Sequence, residues 1–114
     1  MTDEGTYVPL RQQRPITLAE GVVGRLVTTA RQQVSWVILQ PGATAPVHTH
    51  DEEQIGLVLA GEIDFTLGVE RRLLRATDAY VAPSGIPHGG TAGPMGCTLL
   101  DVFNPPRIST GSAD

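Results

Sequence analysis

The sequence has a single cysteine and no long apolar run among its 114 residues. Cys97 has no second cysteine with which to form an intramolecular disulfide, so nothing in the sequence requires an oxidising compartment. No apolar stretch approaches the ~20 residues that span a bilayer, and the polar start of the chain lacks the apolar segment of a secretion signal. We therefore expect a cytoplasmic protein without a membrane partner.

Positive charge is scarce as well. Arginine supplies all 8 basic residues against 12 acidic ones, which gives a formal net charge of -4 and a pI near 5.2. A surface that follows a phosphate backbone or binds anionic lipid needs clustered cations. The composition therefore argues against a nucleic-acid partner.

Helical periodicity is missing too, and short β-type runs take its place. Glycine and proline interrupt these runs about every 8–12 residues, which is typical of an all-β sandwich or barrel. The chain length fits one domain. We expect an N-terminal arm over residues 1–15, a barrel over 16–107 and a flexible tail over 108–114. Predicted strands cover residues 22–30, 34–40, 47–50, 54–67, 69–76, 79–82 and 96–104.

One carboxylate interrupts an apolar face of the last predicted strand. Alternation places four side chains of this strand on one face: Cys97, Leu99, Asp101 and Phe103. A buried carboxylate costs free energy unless it is paired, hydrogen-bonded or open to a polar cavity. Asp101 is therefore either an ion-pair partner of Arg25 or Arg107, or an acid–base group in a site.

The chain has only three histidines, and two of them are separated by one residue. His48 and His50 follow a turn, and in a strand such i and i+2 side chains share a face. His88 lies in a turn stiffened by prolines and a glycine. Three imidazoles suit Zn²⁺, Ni²⁺, Fe²⁺ or Cu²⁺. The alternative is three unrelated, partly exposed loop histidines.

Two spaced motifs surround these histidines. The first contains Gly42, His48, His50, Gln54 and Gly61, and the second contains Asp78, Pro83, Gly85, Pro87 and His88. At this joint spacing the chain resembles the cupin superfamily over about residues 34–107 and is identified as a small single-domain cupin. Three positions depart from the usual motifs: Gln54 replaces Glu, Thr77 replaces Gly, and Ala92 stands where the second motif often ends in Asn.

The resemblance implies a jelly-roll barrel of two antiparallel sheets with one divalent metal ion, Zn, Ni, Mn or Fe, at its mouth. The implied ligands are His48, His50, Gln54 and His88. A neutral Gln54 leaves the metal its full positive charge, which favours Lewis-acid chemistry. An iron oxygenase prefers a carboxylate ligand, which here only Glu52 or Glu53 could supply.

The stretch from Leu100 to Arg107 is similar to the tail of small cupins of pectin and alginate breakdown, which convert 4,5-unsaturated uronates into linear keto sugars. That resemblance implies a proton-transfer role for Asp101 and a hold on the substrate carboxylate by Arg107. It also implies that Phe103 serves the site, although a strand phenylalanine is more often core. Tyr80 could line the same cavity, but a tyrosine in a strand is more often core with its hydroxyl at the rim.

The leading hypothesis is a metal-dependent, non-redox lyase or isomerase acting on a small carboxylated substrate, with unsaturated uronate linearisation as the named case. A large apolar cavity lined by Trp36, Tyr80 and Phe103 would instead favour a polyketide cyclase. Bound iron would favour a dioxygenase, and a metal-free barrel would favour a ligand-binding cupin. By analogy with small cupins we expect a homodimer, formed through extended sequence in residues 6–18.

Overall fold

A computed structural model describes residues 4–107 of the chain. These residues form eight strands and one short 3-10 turn. The turn is Leu10–Gln12, and the strands are β1 (Ile16–Ala19), β2 (Val22–Thr28), β3 (Gln33–Leu39), β4 (Thr44–His48), β5 (Glu53–Leu67), β6 (Glu70–Arg75), β7 (Ala79–Ala82) and β8 (His88–Asn104). No helix in this part of the chain is long and apolar enough to cross a membrane.

All strand pairs are antiparallel, and the two long strands belong to both layers of the barrel. The first half of β5 pairs with β7 and with the end of β8, whereas its second half pairs with β6 and with the start of β8. One layer therefore runs β1-β2-β3-β8-β5-β7, and the other runs β4-β8-β5-β6. This arrangement confirms the predicted all-β barrel of two antiparallel sheets.

The long strands turn from one layer to the other at a pair of glycines. Gly61 of β5 lies opposite Cys97, and the β5–β8 register shifts just before Ala60 and just after Gly61. Gly61 and Gly96 have φ angles of 72° and 77°, a region that side chains with a Cβ atom rarely adopt. A Cβ atom on Gly61 would also come 2.0 Å from the carbonyl oxygen of Gly96. The corner thus depends on glycine for both conformation and space.

The core lies between the two layers. It contains Val37, Leu39, Val58 and Leu99 from one layer and Ala45, Ile63, Phe65 and Ala92 from the other. Burying each large apolar side chain contributes about 1.5–3 kcal/mol. The predicted alternation is confirmed, because Cys97, Leu99, Asp101 and Phe103 are all buried.

β1 and β8 differ from the prediction. β1 falls within the predicted barrel but was not predicted as a strand, and it pairs with β2 of the same chain. β8 begins at His88 instead of residue 96, because its glycines do not end the strand. A Cβ atom on Gly89 would come 2.7 Å from the backbone of Val47, so this glycine lets β4 approach. The predicted tail, residues 108–114, lies outside the described residues, and the arm boundary stays a prediction.

Candidate metal centre

The three histidines converge at one end of the barrel interior. His48 ends β4, His88 begins β8, and the two are paired across these strands. His50 lies just beyond β4, where its carbonyl accepts a hydrogen bond from the Gly85 amide at 2.9 Å. One ring nitrogen of each histidine lies within 4.8 Å of the other two. The strand predicted over residues 47–50 thus begins three residues too late and ends two residues too late, but the predicted convergence of the histidines is confirmed.

Backbone carbonyls fix the orientation and tautomer of all three rings. Nδ1 of His48, His50 and His88 donates to the carbonyls of Pro46 (3.0 Å), Glu52 (2.9 Å) and Ile86 (2.9 Å), respectively. A carbonyl oxygen can only accept, so each Nδ1 carries the proton and each Nε2 carries a lone pair. Such hydrogen bonds are the usual way in which proteins orient histidine ligands.

Gln54 completes this group from the start of β5. Its side chain is fully buried, and Oε1 lies 2.9 Å from Nε2 of His50 and 3.0 Å from Nε2 of His88. With both Nε2 atoms unprotonated, three electron-rich atoms face one another at hydrogen-bond distance without a proton between them. Three imidazole nitrogens and an amide oxygen suit a divalent transition metal. The donor set therefore fits one such ion, and its four ligands carry no net charge.

Burial favours the neutral form of two of the imidazoles, His88 and His48. The pKa of His88 is lowered from 6.5 to about 4, mainly by burial, with smaller contributions in the same direction from His48, His50 and Arg107. Burial also lowers the pKa of His48, with a smaller effect in the same direction from Arg107. Neutral imidazole is the form that binds metal ions, so these two ligands are ready to bind at neutral pH.

A buried hydrogen-bonded chain lies directly behind Gln54. Its Nε2 donates to the Tyr80 hydroxyl at 2.6 Å, and that hydroxyl donates to Oδ1 of Asp101 at 2.9 Å. Tyr80 is 6% exposed and Asp101 is 2% exposed. The predicted carboxylate thus belongs to the surroundings of the metal ligands, joined to them through Tyr80.

Gly56 makes this chain of contacts geometrically feasible. In the register of β7, β5 and β8, Gly56 is paired with Tyr80 on one side and Asp101 on the other. A Cβ atom on Gly56 would come 2.0 Å from Cε2 of Tyr80 and 2.6 Å from its hydroxyl oxygen. Gly56 was not predicted as a site residue, and its only signal in the sequence is its position two residues after Gln54 on the same face.

Arg107 lies beside His48 and Phe103. Its Nη1 donates to Nε2 of His48 at 3.4 Å, and its guanidinium carbon lies 5.8 Å from the centre of the Phe103 ring. Phe103 is fully buried, with its ring centre 5.8 Å from that of His50. These contacts bring a cation and an aromatic ring against the candidate metal ligands.

Two further residues hold this cation in place. Glu52 Oε1 lies 4.0 Å from Nε of Arg107 and 3.4 Å from Nδ1 of His50. The side-chain amide of buried Gln33 donates to the Arg107 carbonyl at 3.2 Å. Neither function was predicted, because Glu52 stood in an acidic turn and Gln33 stood in a polar stretch before the predicted strand over residues 34–40.

All eight predicted site residues meet in this region, but Trp36 does not. Tyr80 and Phe103 face the barrel interior, whereas Trp36 lies on the outer surface of the same layer, in a groove with Leu59 and Leu100. The cavity that would have favoured a polyketide cyclase, with Trp36, Tyr80 and Phe103 in one lining, is therefore not formed by the described residues.

The barrel with three histidines at one end defines the chain as a cupin: the cupin domain family matches residues 35–103, and the chain belongs to that family. It is similar to the pectin degradation protein KdgF of Dickeya dadantii, with 32% identity over 92 residues, covering 79% of this chain and 84% of KdgF. The structure of KdgF from Halomonas sp. superposes with a TM-score of 0.84 at 27% identity, over 91% of this chain and 96% of that one.

A shorter match links the chain to another relative. It is 44% identical to the H2HPP isomerase of Bacillus subtilis over 50 residues, which cover 43% of this chain. The match spans only 21% of that longer protein.

Proposed function

We propose that this cupin is a metal-dependent, non-redox enzyme that opens the ring of 4,5-unsaturated uronates to give linear keto sugars. The observation that carries the proposal is the position of Arg107, whose guanidinium lies 3.4 Å from a candidate metal ligand, His48. A cation beside a Lewis-acid centre suits a substrate with a carboxylate next to the reacting oxygen. Similarity to a pectin degradation protein over most of both chains supports this substrate class.

His48, His50, Gln54 and His88 would hold the metal ion, which would polarise a substrate oxygen. Since all four ligands are neutral, the ion would keep its full positive charge, and no carboxylate ligand of the kind used by iron oxygenases is included. We propose one divalent ion, with Zn, Ni, Mn and Fe as the candidates.

Arg107 would bind the uronate carboxylate through two parallel N–H donors. Phe103 would form the apolar floor under the sugar ring, since its own ring is in contact with both Arg107 and His50. Tyr80 would contribute to the substrate pocket indirectly, because its hydroxyl is bonded to Gln54 and Asp101. Together these groups would fix the substrate in one orientation.

Asp101 would serve the proton transfers. Ring opening removes the proton of the C1 hydroxyl and breaks the bond from C1 to the ring oxygen, whose electron pair forms an enolate at C5. A proton added at C4 then gives the C5 ketone, so the reaction is an isomerisation with no oxidant and no net proton change. We propose that Asp101, hydrogen-bonded to Tyr80, accepts and returns the proton.

Elemental analysis of untagged protein tests the metal site. Wild type should contain about one equivalent of a divalent metal, and His48→Ala should lose most of it. Asp64→Asn, which changes an exposed carboxylate in β5, is the matched control and should retain the metal. Metal-free wild type that also fails to take up added metal would overturn the enzyme proposal and leave the ligand-binding alternative.

The substrate class is tested by following the loss of the ultraviolet absorbance of the 4,5-double bond. Hydrogen bonds to charged groups contribute about 1.5–3 kcal/mol, so Arg107→Gln should lower kcat/KM for the free acid by about tenfold to a hundredfold. The methyl ester of the same uronate lacks the carboxylate charge, and on it wild type and variant should differ little. Equal losses on acid and ester would contradict the proposed role of Arg107.

The short match to an isomerase supplies a second substrate class for the same site. If uronates are not turned over by metal-loaded protein, H2HPP is the next compound to test, because that relative shares 44% identity over its matched segment. Oxygen consumption with bound iron would instead indicate a dioxygenase.

We also propose a homodimer. The outer surface of β5 and β7 exposes Ile55, Leu59 and Val81 by 47%, 45% and 53%, and Ile55 and Val81 are neighbours across the strands. A second copy of the same surface would cover these side chains. Light scattering should give twice 12.1 kDa for wild type and 12.1 kDa for Ile55→Glu. A wild-type mass of 12.1 kDa would contradict the dimer.

A further inference from the structure

We propose that Asp101, acting through Tyr80, determines which end of the Gln54 amide faces the three histidines. This inference rests on the metal site of the proposed function but not on the uronate reaction. Asp101 and Tyr80 are positioning residues in this role, since neither touches the three histidine nitrogens that face one another.

The Tyr80 hydroxyl has a single proton to donate. Asp101 as a carboxylate can only accept, and the 2.9 Å contact commits the tyrosine proton to it. The hydroxyl therefore presents lone pairs to Gln54, 2.6 Å away. Only a donor is favourable at that distance.

The amide of Gln54 can satisfy this requirement in one orientation only. With Nε2 toward Tyr80, Oε1 must point to the histidines, where it lies 2.9 Å and 3.0 Å from two Nε2 atoms. The opposite orientation would place an oxygen against the lone pairs of Tyr80 and an NH₂ group at the metal position. Gln54 is fully buried, so no solvent is available to compensate for a wrong orientation.

The same requirement explains why position 54 carries an amide. A glutamate there would set a second acceptor against the Tyr80 hydroxyl, whose proton Asp101 already takes. Because the Tyr80 hydroxyl needs a donor at position 54, glutamine is favoured there over the glutamate that is usual in the first cupin motif.

Binding of Co²⁺ alone, followed by its visible absorption, tests the inference in four variants. Asp101→Asn keeps an acceptor for the Tyr80 proton and removes the charge, so its affinity should stay within about threefold of wild type. Asp101→Leu has a similar shape but no acceptor, and Tyr80→Phe has no hydroxyl. Both free the amide to turn, and each should weaken Co²⁺ binding by about tenfold or more and change the spectrum, in line with the usual effect of removing a partner of a metal ligand. Asp64→Leu is the control for an exposed carboxylate and should bind as wild type.

Two outcomes would overturn the inference. If Asp101→Asn and Asp101→Leu weaken binding equally, the charge of Asp101 matters and its acceptor function does not. If Tyr80→Phe binds Co²⁺ like wild type, the amide needs no partner. Should Asp101→Leu fail to fold, Tyr80→Phe still decides the question.

Nuclear magnetic resonance of metal-free, ¹⁵N-labelled protein gives an independent readout. One side-chain amide proton of Gln54 should be strongly shifted and slow to exchange in wild type, and should lose both properties in Tyr80→Phe. Exposed Tyr7, changed to Phe, is the matched control. Unchanged Gln54 signals in Tyr80→Phe would contradict the inference even if the protein proved inactive on uronates.

Discussion

Gly56 and Tyr80 face each other across β5 and β7 with no room for a methyl group between them. A Cβ atom at position 56 would lie 2.0 Å from Cε2 of the tyrosine ring and 2.3 Å from Cζ. The ring lies over the strand at this point and delivers its hydroxyl to Asp101 on the far side. The glycine is therefore as necessary to the buried hydrogen bonds as the residues that form them.

Gly56→Ala should displace the Tyr80 ring and destabilise the protein. Overpacking of this kind costs about 1–3 kcal/mol of unfolding free energy, which urea denaturation measures. In a Tyr80→Ala background the same methyl group has space, so there the substitution should cost much less. Equal costs in the two backgrounds would show that the ring does not limit position 56.

Thr77→Gly should stabilise the protein. Thr77 has a φ of 78°, the left-handed region, which costs a residue with a Cβ atom about 1–2 kcal/mol. Glycine loses about 0.5–1 kcal/mol more backbone entropy on folding, so the expected net gain is roughly 0.5–1 kcal/mol. Thr77→Ala retains the Cβ atom and should gain little. A lower denaturation midpoint for Thr77→Gly than for wild type would contradict the expected backbone strain at Thr77.

Ser35→Ala should leave stability unchanged or raise it by about 1 kcal/mol. Ser35 is fully buried opposite Asp101, and its hydroxyl oxygen has no hydrogen-bond partner among residues 4–107. Removing a buried, unpaired hydroxyl relieves its desolvation cost. Exposed Ser84, changed to Ala, is the control. A clear loss of stability in Ser35→Ala would mean that the hydroxyl is bonded in solution.

Cys97 should make stability fall at alkaline pH. Burial raises the pKa of its thiol from 9.0 to about 11, with a further contribution from Asp101. The folded state therefore holds this proton more tightly than the unfolded chain, so the stabilisation is present below pH 9 and is lost as pH rises toward 11. The expected loss is about 2 kcal/mol.

Urea titrations of wild type and Cys97→Ala between pH 8 and 11 measure this difference. Cys97→Ala should have a lower free energy of unfolding than wild type already at pH 8, because it loses buried volume. Its free energy of unfolding should then fall less between pH 8 and 11, because it lacks the thiol that causes part of the decrease. Parallel slopes for the two proteins would disprove the link. In native wild type at pH 8, Cys97 should also resist iodoacetamide until the chain is unfolded.

The convergence of the candidate metal ligands could be predicted because their evidence is local. His48 and His50 are two residues apart, and His88 and Gln54 occupy fixed places in the two motifs, so short-range spacing was sufficient. The inward face of β8 followed from simple alternation of its side chains. The all-β class followed from the spacing of glycine and proline.

The surroundings of those ligands could not be predicted in the same way. Gly56 matters only because the sheet pairs it with residues 80 and 101, which are distant in sequence. From its sequence position Glu52 was interpreted as a solvated turn residue, but the fold places its carboxylate 4.0 Å from Nε of Arg107. Gly89 lies outside every predicted strand, although it belongs to β8 at a point where β4 approaches closely. Each of these depends on long-range pairing, which a single sequence does not contain.

The single proton shared between Tyr80 and Asp101 also limits how this protein could evolve. A lineage that gained glutamate at position 54 first would pass through a form with two acceptors in contact and no proton between them. If position 101 changed first, the tyrosine would be free to donate toward position 54, and the glutamate could follow. Ancestral or directed substitutions should therefore succeed in one order and fail in the other.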